Sequence, residues 1–321
     1  MKTCRLLLLS LGLVAVTLVA CQPASAPVPQ TTTQSAAPPP STARSTLRVV
    51  AVENFLADVA QHVAGDRLVV SALMPVGADP HSFEPTPADA ARVAASDVLI
   101  VNGARLEAFL DRMLANAGDQ HRIIVASAGL TSRQPRPGEP PLDDPAGDPH
   151  FWLDPNNVIE YVHNIRDGLS QADPPGASVY AANAQAYAGQ LQELDRWIGE
   201  QVGQLPPERR LLVTDHETLG YFADRYGFRV VGTIIPSVSS EASPSAQQLA
   251  QLVEQIRASG VRAIFLESGS NPQLADQIAR ETGVKVVNDL YTHSISAANG
   301  PAPDYIKMMR YDVTQIVEAL K

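Results

Sequence analysis

The chain has 321 residues, a net charge of −10 and two cysteines, Cys4 and Cys21. The acidic balance argues against nucleic acid as a partner and speaks mainly to solubility, with a weak pull on cations. Cys4 lies in an N-terminal leader that processing would remove, so no disulfide framework is available.

Lys2 and Arg5 precede an almost wholly apolar run, Leu6 to Ala20. A bilayer-spanning helix needs about 20 apolar residues, so this shorter run reads as the core of a secretory signal over residues 1–20. It ends in Leu18-Val19-Ala20-Cys21, which resembles a bacterial lipobox. Cys21 is therefore the expected lipidation site, tying the exported protein to membrane lipid at the cell envelope. Removing Lys2 and Arg5 takes the charge from −10 to −12. Residues 22–46 hold six prolines and no acidic residue. Residues 21–46 are therefore expected to be the lipidated cysteine and a disordered tether. At about 3.3 Å per residue the tether could reach roughly 80 Å. No apolar run of membrane-spanning length follows the signal.

The remainder alternates strand and helix. The predicted strands are Leu47–Val52, Leu68–Met74, Asp97–Asn102 and His121–Ala126, then Leu211–Thr214, Phe228–Ile235, Arg262–Glu267 and Val284–Asn288. Helical periods fall at Glu53–Ala64, Pro87–Ala95, Leu106–Ala117, Thr218–Tyr226, Ser245–Ser259 and Gln273–Thr282. This alternation predicts an α/β protein of two lobes, each a roughly four-stranded parallel sheet flanked by helices. Ala177 to Gln204 is one long helical pattern bounded by Pro174-Pro175 and Pro206-Pro207. At 1.5 Å per residue it makes a spine of about 40 Å joining the lobes. The expected division is thus 47–176 for the N-terminal lobe, 177–204 for the linking helix and 205–321 for the C-terminal lobe.

Four histidines, His81, His150, His216 and His293, are spaced by 69, 66 and 77 residues, each past a predicted strand. Parallel α/β sheets bind ligands outside the C-terminal ends of their strands, and imidazole is the commonest transition-metal ligand. One metal site drawn from both lobes is the expectation. His81 and His150 share the tripeptide Asp-Pro-His, in which proline restrains the loop. Asp79, Glu84, Asp148, Asp215, Glu267 and Asp289 are candidate carboxylates behind the ligands, where they would orient the imidazoles or offset the ion's charge. His62 and His163 lie on amphipathic helices and His121 opens a strand, so these three read as ordinary surface histidines.

The segment from Val76 through Asp79-Pro80-His81-Ser82-Phe83-Glu84-Pro85 to Pro87 closely resembles a ligand motif of the zinc/manganese solute-binding lipoproteins of ABC importers, solute-binding protein family 9. Asp148-Pro149-His150-Phe151-Trp152-Leu153-Asp154-Pro155 resembles the family's second motif, and Thr214-Asp215-His216 with Gly220-Tyr221-Phe222 its third. The likeness extends over essentially everything after the tether. It implies metal held between two lobes, capture of a free divalent ion outside the cytoplasm, and delivery to a membrane permease. A monomer that is not an enzyme is the further expectation. His81, His150 and His216 carry over as ligands. The fourth position departs from the pattern: the family usually places aspartate where this chain has His293, and Asp289 or a water is the alternative fourth ligand.

Four nitrogens make the closed tetrahedral shell that zinc favours in non-catalytic sites. Manganese prefers carboxylates and higher coordination. Zinc is therefore the first choice, with manganese as runner-up and iron third. Against zinc, many zinc members carry a histidine-rich loop, whereas Thr131 to Gly147 is proline-rich and acidic with no histidine. A zinc hydrolase is a rival reading. His216-Glu217 begins like a metalloprotease helix, but position 220 is Gly220 and the second histidine is missing. A surface adhesin is another, compatible as an added role but no explanation for four strand-end histidines.

Overall fold

Short β-branched runs form two four-stranded parallel sheets in the computed structural model, which describes residues 44–117, 122–136 and 146–321. The signal, Cys21, nearly all of the tether, His121 and the middle of the Thr131–Gly147 segment lie outside the described residues. The first sheet comprises β1 (Val49–Ala51), β2 (Val70–Ala72), β3 (Val98–Val101) and β4 (Arg122–Val125), in the order β2-β1-β3-β4. The second comprises β5 (Leu211–Thr214), β6 (Arg229–Thr233), β7 (Ala263–Glu267) and β8 (Lys285–Leu290), in the equivalent order β6-β5-β7-β8. The first three strands of each sheet in this matched layout are joined through helices. β1, β3 and β5 are buried along their whole length. Their near-continuous apolar runs, VVA, VLIV and LLVT, follow from cover on both faces.

The helices are α1 (Asn54–Ala64), α2 (Pro87–Ala95), α3 (Leu110–Ala117), α4 (Pro155–Ala172), α5 (Ala177–Gly203), α6 (Gly220–Tyr226), α7 (Ala246–Ser259), α8 (Gln273–Thr282) and α9 (Tyr305–Leu320). α2 starts in a reciprocal cap between Thr86 and Asp89, with Pro87 at its first turn. α7 starts in the same device made by Ser245 and Gln248. Such caps contribute about 1 kcal/mol each. α5 is the spine; it buries Tyr180, Ala184, Tyr187, Leu191, Leu194, Ile198 and Val202 along one face.

Several boundaries differ from the sequence reading. α3 begins at Leu110 rather than Leu106: Gly103, Ala104 and Arg105 take positive φ values of 91°, 50° and 63°, and the chain runs on in turns through residue 109 before the helix starts. α6 begins at Gly220 rather than Thr218, and β2 keeps only Val70–Ala72 of the expected Leu68–Met74. α4 and α9 are helices that the strand–helix reading did not assign.

The apolar core is not two separate cores. One cluster runs from α1 and the first sheet through Trp152, Tyr161 on α4, Tyr187 and Leu194 on α5 and Tyr305 and Met308 on α9 to Phe222 and Phe265 in the second lobe. Smaller clusters fill the outer face of each sheet, around Leu99 and Val93 in one lobe and Ile264 and Ile256 in the other. α4 and α9 are thus packed beside the spine at the join between the lobes. Below the first lobe Arg67 and Asp173 form a buried pair, with Nε to Oδ2 at 2.5 Å and a second bond at 2.8 Å.

Candidate metal centre

The C-terminal edges of both sheets open towards the same region, and the loops leaving them bring His81, His150, His216 and His293 together. One nitrogen of each lies within 4.8 Å of the other three. The six pairwise separations between ring centroids are 5.3, 5.5, 5.1, 5.4, 5.1 and 5.2 Å. Six near-equal distances among four rings describe a nearly regular tetrahedron. Its centre lies about 3.2 Å from each centroid, which matches a zinc–nitrogen bond of about 2.1 Å plus about 1.1 Å from nitrogen to ring centre. The Nε2 atoms of His81 and His150 are 3.2 Å apart, and those of His150 and His293 are 3.1 Å apart. A tetrahedron of zinc–nitrogen bonds requires edges of about 3.3 Å. The four nitrogen donors, the regular spacing of their rings and these two edges fit a small tetrahedral ion.

Local backbone chemistry places each ring. In both Asp-Pro-His tripeptides the histidine N–H donates to Oδ1 of the aspartate two residues back, at 2.9 Å in each case. These are Asx turns closed around a proline. The His216 N–H donates to Oδ1 of Asp215 at 3.0 Å. Gly147, just before the second tripeptide, has φ 85° and lies against Ser132, whose hydroxyl would meet an added Cβ at 2.1 Å. Only glycine fits this approach. The Ser132 hydroxyl then accepts the Asp148 N–H at 2.9 Å.

The carboxylates divide by role. Asp148 Oδ1 lies 2.8 Å from Nδ1 of His150, and Glu267 Oε2 lies 2.8 Å from Nδ1 of His293. Both pairs have the carboxylate–histidine geometry that orients metal-bound imidazoles. Asp215 Oδ1 and Glu267 Oε1 lie 3.4 and 3.6 Å from Nδ1 of His216. Asp79 holds the backbone of His81 rather than its ring, and its other oxygen accepts the hydroxyls of Ser82 and Ser240. Two expectations fail. Glu84 is exposed and stands apart from the histidine cluster, and Asp289 is exposed on backbone at φ 70°, where its charge acts on Tyr291 and Tyr311. Nearness in sequence did not aim either side chain at the site.

His150, His216 and His293 are buried, whereas His81 is partly open and marks the side from which solvent reaches the cluster. Burial, reinforced by the neighbouring imidazoles of His293 and His216, pulls His81 down to about 3. Burial and the same crowding hold His150 well below the usual imidazole range. For His216 burial pulls the same way, but the Glu267 and Asp215 carboxylates outweigh it and raise the ring to about 9. Burial raises Asp148 to about 7, partly opposed by the His150 N–H and Arg133. Glu267 resists its own burial because His293 and His216 hold it ionised, well below the usual range.

Three supporting residues escaped the sequence reading. The Thr218 hydroxyl lies 3.0 and 2.8 Å from the two ring nitrogens of His216 and donates to Glu267 Oε1 at 3.0 Å. The Trp152 ring packs edge-on against His150 and His293, with centroids 5.3 and 5.6 Å away. Ser240 reaches Asp79 from the other lobe. Trp152 and Thr218, each two residues after a cluster histidine, carried a positional signal; Ser240 carried none. Among the other histidines, His62 stacks on Tyr187 with centroids 4.2 Å apart and His163 sits 3.6 Å from Glu160, both away from the cluster.

Residues 49–319 match the family described as zinc-uptake complex component A, periplasmic (ZnuA). The manganese-binding lipoprotein MntA of Halalkalibacterium halodurans is 35% identical over 275 residues, covering 85% of this chain and 88% of the relative. The iron-binding protein YfeA of Yersinia pestis is 33% identical over 279 residues, covering 87% and 88%. Among solved structures, the periplasmic zinc-binding protein TroA of Treponema pallidum superposes with a TM-score of 0.78 at 25% identity, over 86% of this chain and 99% of that one. The manganese-bound periplasmic metal-binding protein of Candidatus Liberibacter asiaticus gives 0.76 at 29% identity, over 86% and 100%. No helix among the described residues is long and apolar enough to cross a membrane. The chain therefore belongs to the ZnuA family and is an extracytoplasmic, metal-binding substrate-binding protein of an ABC importer, a transport component and not an enzyme.

Proposed function

We propose that the cargo is zinc, held by His81, His150, His216 and His293. The observation that carries this reading is the near-regular tetrahedron of imidazoles, with centroid separations of 5.1 to 5.5 Å. Four neutral nitrogens satisfy zinc and leave no coordination position for a reacting water. Manganese prefers oxygen donors and a larger shell. The ionised Glu267, together with Asp215, offsets the charge of the ion from behind the rings. The loaded protein delivers its ion to a membrane permease and works as a monomer, tied to membrane lipid through Cys21.

A second reading rests on one specific observation. Asp215, His216 and Glu267 also bring ligand atoms within 4.8 Å of one another. That mixed oxygen and nitrogen set suits manganese, which is the runner-up. Elemental analysis after equilibration with equal zinc and manganese decides between them. Zinc at one equivalent in the parent and its loss in His293→Ala support the four-histidine cage, because a preference for zinc over manganese is common to most nitrogen and oxygen sites; retention of manganese in preference to zinc overturns it.

A further inference from the structure

His293 lies in the loop after β8, in the second lobe, yet the residues around it are held by the first lobe. The Asn54 side chain, at the start of α1, donates from Nδ2 to the Ser294 hydroxyl at 2.9 Å and to the Pro75 carbonyl at 3.2 Å. Its Oδ1 accepts the Ile295 N–H at 2.8 Å. The Ser294 hydroxyl also accepts the Gly77 N–H at 2.8 Å and donates to the Ile295 carbonyl at 2.9 Å. Pro75 and Gly77 belong to the loop that ends in His81. A second arm comes from Trp152, whose indole N–H donates to the Thr292 carbonyl at 2.7 Å. The carbonyl of Trp152 in turn accepts the Tyr305 hydroxyl at 2.6 Å.

We propose that Asn54 and Ser294 form a positioning node which locks the His293 loop to the His81 loop through protein contacts alone, and that this node sets the preference for a tetrahedral ion. The proposal rests on the reading that His293 is a ligand. Asn54 and Ser294 are both buried, at 7% and 6% exposure, and bonds between buried polar groups are costly to break. The residues flanking His293, Thr292 and Ser294, are each tied across the lobes, so the ring has little freedom to swing outward. A cage that cannot widen cannot admit the extra water or carboxylate that a five- or six-coordinate ion requires. Zinc accepts four ligands without loss. Manganese is penalised by the same rigidity. Releasing the node lets the His293 loop drift, which costs zinc affinity and opens the shell to larger coordination.

The test uses the full chain carrying Asn54→Ala, Ser294→Ala, both together, or His293→Ala. Zinc and manganese affinities are read by chelator competition, and the visible absorption of bound cobalt(II) reports coordination geometry. Groups that support ligands from behind typically control metal affinity by about 10- to 100-fold. Asn54→Ala and Ser294→Ala are each expected to lose zinc affinity within that range, with manganese affinity unchanged or raised. The strong tetrahedral cobalt bands should weaken, and the double variant should lose little more than either single one, because both remove the same node. If Asn54→Ala fails to fold, Ser294→Ala alone carries the test. Parental zinc-to-manganese ratios and cobalt spectra in the node variants, alongside strong loss of zinc in His293→Ala, overturn the node and leave the four-histidine reading standing. Parental zinc affinity in His293→Ala overturns the four-histidine reading, and the node with it.

Discussion

Glu267 places Oε2 2.8 Å from Nδ1 of His293 while its Oε1 accepts the Thr218 hydroxyl that touches the ring of His216. One carboxylate thus serves two imidazoles supplied by different strands of the second sheet. Replacing Glu267 by Gln removes the charge and keeps the shape. Zinc affinity is expected to fall about 10- to 100-fold, read by competition with a chromogenic chelator. Glu84→Gln, at an exposed position outside the cluster, is the control and should leave affinity at the parental value.

The site also predicts how affinity follows pH. His216, raised to about 9, carries a proton at neutral pH, whereas His81, at about 3, does not. Metal and proton compete for the same nitrogen, so affinity falls as pH falls below about 9, by about one decade per unit for one displaced proton. The reference imidazole value of about 6.5 would instead confine the loss to roughly pH 7 to 5. Calorimetry at pH 7 in buffers of different ionisation enthalpy should report release of about one proton or more per ion. Binding at pH 7 with no proton release would show that His216 is already neutral there.

The strand-end histidines were legible because the alternation of apolar runs and helical periods fixes where each strand stops. The repeated Asp-Pro-His tripeptides were legible too, and both close the same turn. What stayed hidden depends on distance along the chain. Asn54 meets Ser294 across 240 positions and Ser240 meets Asp79 across 161, and no local pattern announces such partners. Asp289 misled for the opposite reason: it is near His293 in sequence, but its left-handed backbone accompanies an exposed side chain. α9 could have been read, since Tyr305, Met308, Met309, Val313, Ile316, Val317 and Leu320 recur at helical steps and are all buried. Its packing against the spine and second sheet is what makes the lobes share one core.

The buried pair at the foot of the first lobe tests stability apart from binding. Arg67 is 6% exposed, and the Tyr180 hydroxyl donates to the same Asp173 oxygen at 2.5 Å. Arg67→Ala leaves Asp173 with the Tyr180 hydroxyl but without its cation, a change expected to cost about 1–3 kcal/mol. Urea unfolding should register that loss. Zinc affinity of the folded variant should stay within about two-fold of the parent, as expected for distant sites without shared partners.

Membrane attachment through Cys21 is tested by replacing one atom. Stable anchoring takes more than one acyl chain, which a lipidated N-terminal cysteine supplies. Cys21→Ser should move the protein from the membrane fraction to the soluble one. Retention at the membrane with unchanged processing would rule the lipid anchor out.

The most direct test of the four-histidine cage is zinc K-edge X-ray absorption on the zinc-loaded chain. The tetrahedron of rings predicts four nitrogen neighbours at about 2.0–2.1 Å, with outer-shell scattering that fits four imidazoles. His293→Ala should reduce that count to three, with oxygen or nothing in the fourth place. A shell of three or fewer imidazoles completed by oxygen in the parent protein, or a five- or six-coordinate shell at longer distances, would contradict the assignment.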